Sequence, residues 1–401
     1  MYQNMRFRAV ALCASMALVS FICQAAIGAE APNKSKPRII LPPLADLTEG
    51  MKTGTPEIKS AGPLAFGLDG ILFWADPSSA TIFAIATGDA GPRSGGTLNI
   101  EGINGKIAAR LGTAADQIRI IDLAINPESG AAYLSVARGT GPDAVPVLVR
   151  AKADGSLEDV SLENAKFSSA TLPNAPDAGS VDRRGGSRRA ESITDLAFAL
   201  PETDDPNSEG LPCRVLVAGL SNEEFSSRLR TIPFPFSKAD AGASVEIYHG
   251  SHGKLETASP IRTFVLYAIQ GDPHIVAAYT CTPLVKLREA DLKPGKHVKG
   301  TTVAELGNRN RPLDMIVYTD EGKDVLLMAN SSRGVMKIPT EGLDNANAIE
   351  EPIRDKAGLN YETIDELKGV EQLDRYDADH AAIITKNADT GVMDLKTIEL
   401  P

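Results

Sequence analysis

Three aspartates occupy the same place in a recurring apolar strand: Asp122 in IDLAI, Asp195 in TDLAF and Asp314 in LDMIV. If those strands surround one axis, the three carboxylates face a shared region, where repulsion demands a cation, arginine partners or raised pKa values. Hard oxygen ligands of this kind suit calcium or magnesium. The other reading is that each aspartate caps its own turn through backbone N–H groups. A second grouping is His249 and His252 in EIYHGSHGK, which bracket Gly250-Ser251. Residues flanking a Gly-X hairpin loop face each other across the strands, so both imidazoles could grip one transition metal. Glu246 and Glu256 are near in sequence, but no third ligand is evident. His274 and His297 are expected on the opposite face, so four histidines should not converge. Cys213 and Cys281 should sit about 17–20 Å apart, one strand length, too far for a disulfide. Cys281, in YTCTP, reads as a small buried hydrophobe or as a nucleophile, with no histidine placed by sequence to activate it.

The elements that must position these residues are repeats. Six segments share one pattern of short apolar strand, turn, strongly apolar strand and third strand, starting at Pro63, Ile121, Thr194, Thr263, Leu313 and Val370. Further strand candidates lie between them: TLNIEG, SLEDVSLE, ASVEIYHG and TTVAELG. The runs are short and rich in Val, Ile, Thr and aromatics, and Gly, Asp, Asn or Pro punctuates the junctions. Three strands plus one, repeated radially, make an all-β six-bladed β-propeller of four-stranded antiparallel blades. The alternatives are seven blades or a pair of sandwiches. The last repeat ends on its third strand, so residues 30–62, through PRIILPP or TPEIKSAG, are expected to donate the closing strand ahead of a propeller over 63–401. A long solvated loop is expected from about Phe167 to Ser192, carrying the basic RRGGSRR cluster.

In such a ring, loops from every blade collect around the channel on one face, which is where a ligand site is expected. That face receives Asp76, Ser78, Arg138, Glu224 and Cys281, and the candidate ligand-binding residues Asn222, Asn308, Arg309, Arg311, Asn330 and Arg333. Glu223 is the candidate general base. Walker, GxGxxG, CxxCH, HExxH, GxSxG and CxxC motifs are absent, which removes haem attachment and the usual nucleotide sites.

Composition sets the compartment and partners. The 401 residues are 43% hydrophobic and 23% charged, an ordinary soluble balance that excludes collagen, coiled coil and a polytopic membrane protein. Residues 1–29 read as a signal peptide: Arg6 and Arg8 precede the apolar run ALCASMALVSFICQAA and a small-residue cleavage site. The run from Ala9 to Ala29 is 21 residues, so an uncleaved anchor is the alternative, whereas cleavage leaves no membrane span. Losing Arg6 and Arg8 takes the net charge from −11 to −13, which disfavours nucleic acid and anionic membrane as partners. The expected partner is a small molecule or a protein, in the periplasm or outside the cell.

The repeats resemble those of the six-bladed propeller superfamily that includes NHL-type proteins and calcium-dependent lactonases of the gluconolactonase and SMP-30 type. The stretches AGLSNEEFSSRLRTIPFPF, EIYHGSHGKLET, AAYTCTPLV, ELGNRNRPLDMIVY and LLMANSSRGVMKI are also similar to secreted bacterial propeller proteins. In the lactonases a Glu, two Asn and an Asp hold calcium. Here Asp314, Asp195, Asn330 and Asn222 fall in loosely comparable places without the matching signature. Three functions follow as expectations. One is an exported binding or scaffold module with a polar site at the channel mouth. Another is a calcium-dependent hydrolase or lactonase using Asp122, Asp195 and Asp314 with Glu223 as base. The last is a subunit of a periplasmic redox assembly of quinoprotein type, for which no cofactor signature is present.

Overall fold

The computed structural model describes residues 47–93, 95–200 and 213–401. The expected signal peptide and PRIILPP lie outside the described residues. The six repeated segments each supply the three inner strands of one antiparallel sheet, giving a six-bladed propeller. In chain order, blade 1 contains Leu64–Phe66, Ile71–Asp76 and Thr81–Ala86. Blade 2 contains Ile118–Ile125, Ala132–Arg138, Val145–Ala151 and Leu157–Asp159. Blade 3 contains Asp195–Ala199, Cys213–Leu220, Ser227–Phe234 and Ala243–His249, and blade 4 Thr263–Ile269, Asp272–Ala278, Pro283–Arg288 and Thr301–Leu306. Blade 5 contains Pro312–Asp320, Lys323–Asn330, Gly334–Pro339 and Glu362–Ile364, and blade 6 Val370–Arg375, His380–Lys386 and Met393–Glu399.

Second strands such as ILFWAD are buried along their whole length, because each blade is covered on both faces by its neighbours. Six hydrophobic clusters fill the seams between them. They join blades 1 with 2, 1 with 3, 3 with 4, 4 with 5, 5 with 6, and 6 with 2. The ring therefore runs 1–3–4–5–6–2 and back to 1, so the first two blades stand out of chain order. At the 1–3 seam Phe73 stacks on Phe198 with centroids 5.5 Å apart and meets Phe234 edge-on at 4.9 Å. At the 1–2 seam the Trp74 indole N–H donates to Ser135 Oγ at 3.0 Å.

This order depends on two strand exchanges, and both correct the sequence expectation. TLNIEG does not complete blade 1. Its Asn99–Ile100 pairs with the third strand of blade 6, Ile100 opposite Leu395, and closes the ring there. The chain then forms a helix over Ile103–Arg110, which drives Ile103 and Ile107 into the 6–2 core. After blade 2, Ala165–Thr171 returns to pair with Thr81–Ala86 as the fourth strand of blade 1, so the expected long loop begins only after Thr171. TPEIKSAG forms no strand; its Lys59 N–H and Ser60 hydroxyl donate to the buried Asp76 carboxylate at 2.8 and 2.6 Å. Lys52–Gly54 extends the outer edge of blade 1. Blade 5 takes its fourth strand from Glu362–Ile364, a segment too short and polar to stand out in sequence. Among the described residues, no helix is long and apolar enough to cross a membrane.

Because Phe73 fills the seam between blades that are not consecutive in sequence, Phe73→Ala should cost about 3–5 kcal/mol. Urea unfolding should show a lower midpoint with unchanged slope. A loss below 1 kcal/mol would mean that this seam does not hold the ring.

Candidate functional site

The inner strands place their carboxylates on one channel. Asp122, Asp195 and Asp314 all line a central cavity of about 410 Å³, joined there by a fourth, Asp374 of blade 6. Register shifts fall just before Asp122 and Asp314, after Ile120 and Pro312, and a bulge of this kind re-aims the next side chain. Blade 6 has the same irregularity after Val370 but carries Gln372 at the equivalent place. Asp374 therefore sits two residues further along the channel. The signal that could have found it is the sequence LDR in VEQLDRY, a strand-embedded aspartate like the other three but offset by two positions.

All four carboxylates do the same structural work. One oxygen accepts the N–H of the following residue: Leu123 to Asp122 at 2.8 Å, Leu196 to Asp195 at 2.8 Å, Met315 to Asp314 at 3.0 Å, and Arg375 to Asp374 at 2.7 Å. The other oxygen crosses the seam to the next blade in the ring. Leu64 N–H donates to Asp122 at 2.6 Å, Phe264 to Asp195 at 2.9 Å, Leu373 to Asp314 at 3.0 Å and Ile125 to Asp374 at 2.7 Å. These contacts stitch blade 2 to 1, 3 to 4, 5 to 6, and 6 to 2.

Electrostatically the four are strained. Desolvation by the channel walls pushes Asp195 up to about 7 and Asp374 up to about 6. Asp122 and Asp314 are raised well above the ordinary carboxylate range, first by desolvation and then by neighbouring carboxylates, against the pull of backbone N–H groups. The ring can hold protons near neutrality, accept donors from a ligand, or relax around a cation.

The channel adjoins a second cavity of about 430 Å³ that forms its mouth, shares Asp122, Asp195 and Asp314 with it, and adds Gln372, Arg262 and Arg311. The loop after Thr171 forms part of this mouth. Its Glu191 pairs with Arg262 at 2.7 Å, and Arg189 donates to Pro176 O at 2.6 Å and Ser78 O at 3.0 Å. No hydrogen bond or ion pair of the Arg311 guanidinium is found among the described residues.

Of the six polar candidates only Arg311 lines this mouth, while Asn330 and Arg333 line an adjoining cavity of about 640 Å³ that shares Leu313 and Gln372 with it. Asn308, Arg309 and Arg333 border a shallow surface groove, where Arg333 pairs with Asp355 at 3.2 Å. Asn330 is buried and accepts from Asn310 Nδ2 at 2.9 Å. Asn222 is tied by its N–H to Asn174 O at 2.8 Å. Glu223, the candidate base, accepts from Asn174 Nδ2 at 2.6 Å and pairs with Arg228, and it lines neither cavity.

His249 and His252 do come together, their ring centroids 3.9 Å apart. Contrary to the sequence expectation, Cys281 joins them. Its Sγ and one nitrogen from each ring all lie within 4.8 Å of one another. His274 and His297 do not join this group and sit beside Asp272 and Glu246 respectively, but His297 is not on the opposite face as expected: its ring packs 4.5 Å from that of Phe225, in blade 3's turn between its second and third strands. Cys213 and Cys281 are both free thiols, and only Cys213 is buried.

These features define a six-bladed propeller with a carboxylate-lined channel. No protein-family model matches the sequence, and neither does any curated protein. Among solved structures, the chain is similar to a Thermus thermophilus protein described as an oxidoreductase (glucose dehydrogenase), at 12% identity and TM-score 0.34, covering 87% of this chain and 100% of that one. It is similar to the PQQ-bound aldose sugar dehydrogenase of Streptomyces coelicolor at 12% identity and TM-score 0.31, covering 87% and 96%. A protein described as a gluconolactonase aligns at 8% identity and TM-score 0.28, covering 88% and 93%. At these values none of their activities passes to this chain.

The raised carboxylates generate a pH prediction. A carboxyl whose folded pKa exceeds its unfolded value near 3.8 binds its proton more tightly when folded, so protonation favours the folded state. For Asp195 this contribution is complete below about pH 4 and is lost as pH rises towards about 7. Melting temperature should therefore fall across that interval through the ring, and Asp195→Asn should flatten the fall. Identical pH profiles for the two proteins would refute the raised value.

Proposed function

We propose that the chain is an exported propeller binding module whose ligand site is the channel mouth. The observation that carries this reading is the polar cavity where Asp122, Asp195, Asp314, Gln372 and Arg311 converge. Its size lies within the range of small-molecule sites, roughly 300–1,000 Å³. The carboxylates offer acceptors for hydroxyl or ammonium groups, and Arg311 offers a fork for a carboxylate or phosphate. A small, polar molecule rich in hydrogen-bond donors with one acidic group fits that chemistry. The leader-like residues 1–29 support export, and the acidic net charge supports a partner other than nucleic acid.

A calcium-dependent hydrolase is the second reading, favoured by one observation: a cation would relieve the mutual repulsion of the channel carboxylates. Against it, both oxygens of each carboxylate already accept backbone N–H groups, and Glu223 is spent on Arg228.

Thermal melting against sugar acids, amino sugars and amino acids tests the first reading. At least one should raise the melting temperature, and Arg311→Ala should abolish the shift; a panel without any shift would count against a mouth site. Calcium and chelator arms separate the second reading. A true site at a hundredfold excess over Kd stabilises by about 2.7 kcal/mol. Stabilisation by calcium that disappears in Asp314→Asn would favour the hydrolase, and equal melting with and without chelator would remove it.

A further inference from the structure

We propose that His249, His252 and Cys281 form a transition-metal site of the zinc class in the seam between blades 3 and 4. None of these residues lines the channel or its mouth, so the proposal stands apart from the ligand site above. His249 ends the fourth strand of blade 3, His252 sits in the following 3-10 turn Gly250–His252, and Cys281 occupies the turn between the second and third strands of blade 4. Nitrogen and thiolate donors in this mixture suit zinc and its spectroscopic substitute cobalt rather than calcium or magnesium.

Glu256 supplies the supporting geometry. Its carboxylate takes Nδ1 of His249 at 3.0 Å and Nδ1 of His252 at 2.7 Å, together with the Ser259 hydroxyl. With this one carboxylate accepting from both rings, each Nδ1 carries its proton and each Nε2 lone pair points away from Glu256. That is the arrangement of metal-binding histidines, whose second nitrogen is fixed by a carboxylate. Nε2 of His249 accepts from Ser251 Oγ at 2.9 Å, a contact that rotation of the serine side chain releases.

A second observation concerns a buried carboxylate beside the trio. Glu305, 1% exposed, receives the Gly250 N–H at 2.5 Å through Oε1, while its Oε2 has no hydrogen-bond partner among the described residues. A buried carboxylate oxygen left unmatched costs free energy that a nearby positive charge offsets. Cys281 itself is held at φ 66° and Thr282 at φ 56°, two successive residues in the left-handed region, with the Cys281 N–H donating to Asn310 O at 2.7 Å. Zn–N bonds of about 2.0–2.1 Å and Zn–S of about 2.3 Å imply ligand separations near 3.5 Å. With the three ligand atoms all within 4.8 Å of one another, no pair needs to close by more than about 1.3 Å to reach that spacing, a small side-chain movement. The thiol proton leaves to solvent as the metal–sulfur bond forms, so binding weakens as pH falls.

Cobalt titration of the purified chain tests the site. One equivalent of Co²⁺ should produce a thiolate-to-cobalt charge-transfer absorption that Zn²⁺ abolishes and excess Ca²⁺ leaves unchanged. Cys281→Ser should lose the absorption, and Glu256→Gln should weaken affinity about 10–100-fold, as removal of an orienting partner does. Zinc should also slow alkylation of Cys281 in the parent chain, read by peptide mass. Melting curves establish that each variant is folded, and Cys281→Ser, a near-isosteric change in a surface turn, keeps the test valid if Glu256→Gln does not fold. Absence of the charge-transfer absorption, its persistence in Cys281→Ser, or alkylation indifferent to zinc would overturn the proposal.

Discussion

Every blade of this ring depends on a neighbour to cover it. A four-stranded sheet that is apolar on both faces cannot be stable alone, and the six seam cores supply the cover by closing a circle. Buried backbone groups at the inner rim need partners as well, because the inner strand of each blade has no further strand to pair with. The channel aspartates meet that need at four of the six seams, each binding one N–H at home and one across the gap. Their burial and mutual repulsion work against this stitching, which makes the channel both the mechanical centre of the ring and its most polar interior.

The path of the chain follows from closure. A ring assembled in simple order would join its ends at one seam. Here Asn99–Ile100 completes blade 6, and Ala165–Thr171 completes blade 1 after blade 2 has been inserted between blades 6 and 1. Two blades are thereby built from segments distant in sequence, and both involve the early part of the chain. Pairings of this range carry a large loop-closure cost before any contact offsets it. The tight aromatic packing of Phe73 with Phe198 and Phe234, and the indole bond from Trp74 to Ser135, lie at the two seams flanking blade 1.

Much of the repeat architecture was legible because alternating or continuous apolar strands between turn residues leave a local record. The starts at Pro63, Ile121, Thr194, Thr263, Leu313 and Val370 match six inner strands, and the shared position of Asp122, Asp195 and Asp314 matches one level of the channel. Asp374 escaped because its offset breaks the alignment. The meeting of Cys281 with His249 and His252 was within reach of topology. A blade's fourth strand ends on the same face as the next blade's turn between its second and third strands, so the two motifs belonged on one side of one seam.

The sequence by itself determined the strand pattern, the repeat number and the residues available for chemistry, since these depend on side-chain periodicity and turn propensity over a few residues. Tertiary structure alone decided which blades are neighbours, which short strand closes the ring, and which polar side chains share a cavity. Those outcomes depend on pairing between segments far apart in the chain. Two-residue strands such as Asn99–Ile100 carry too little local pattern to name their partner, and the partner is chosen by the whole ring having to close.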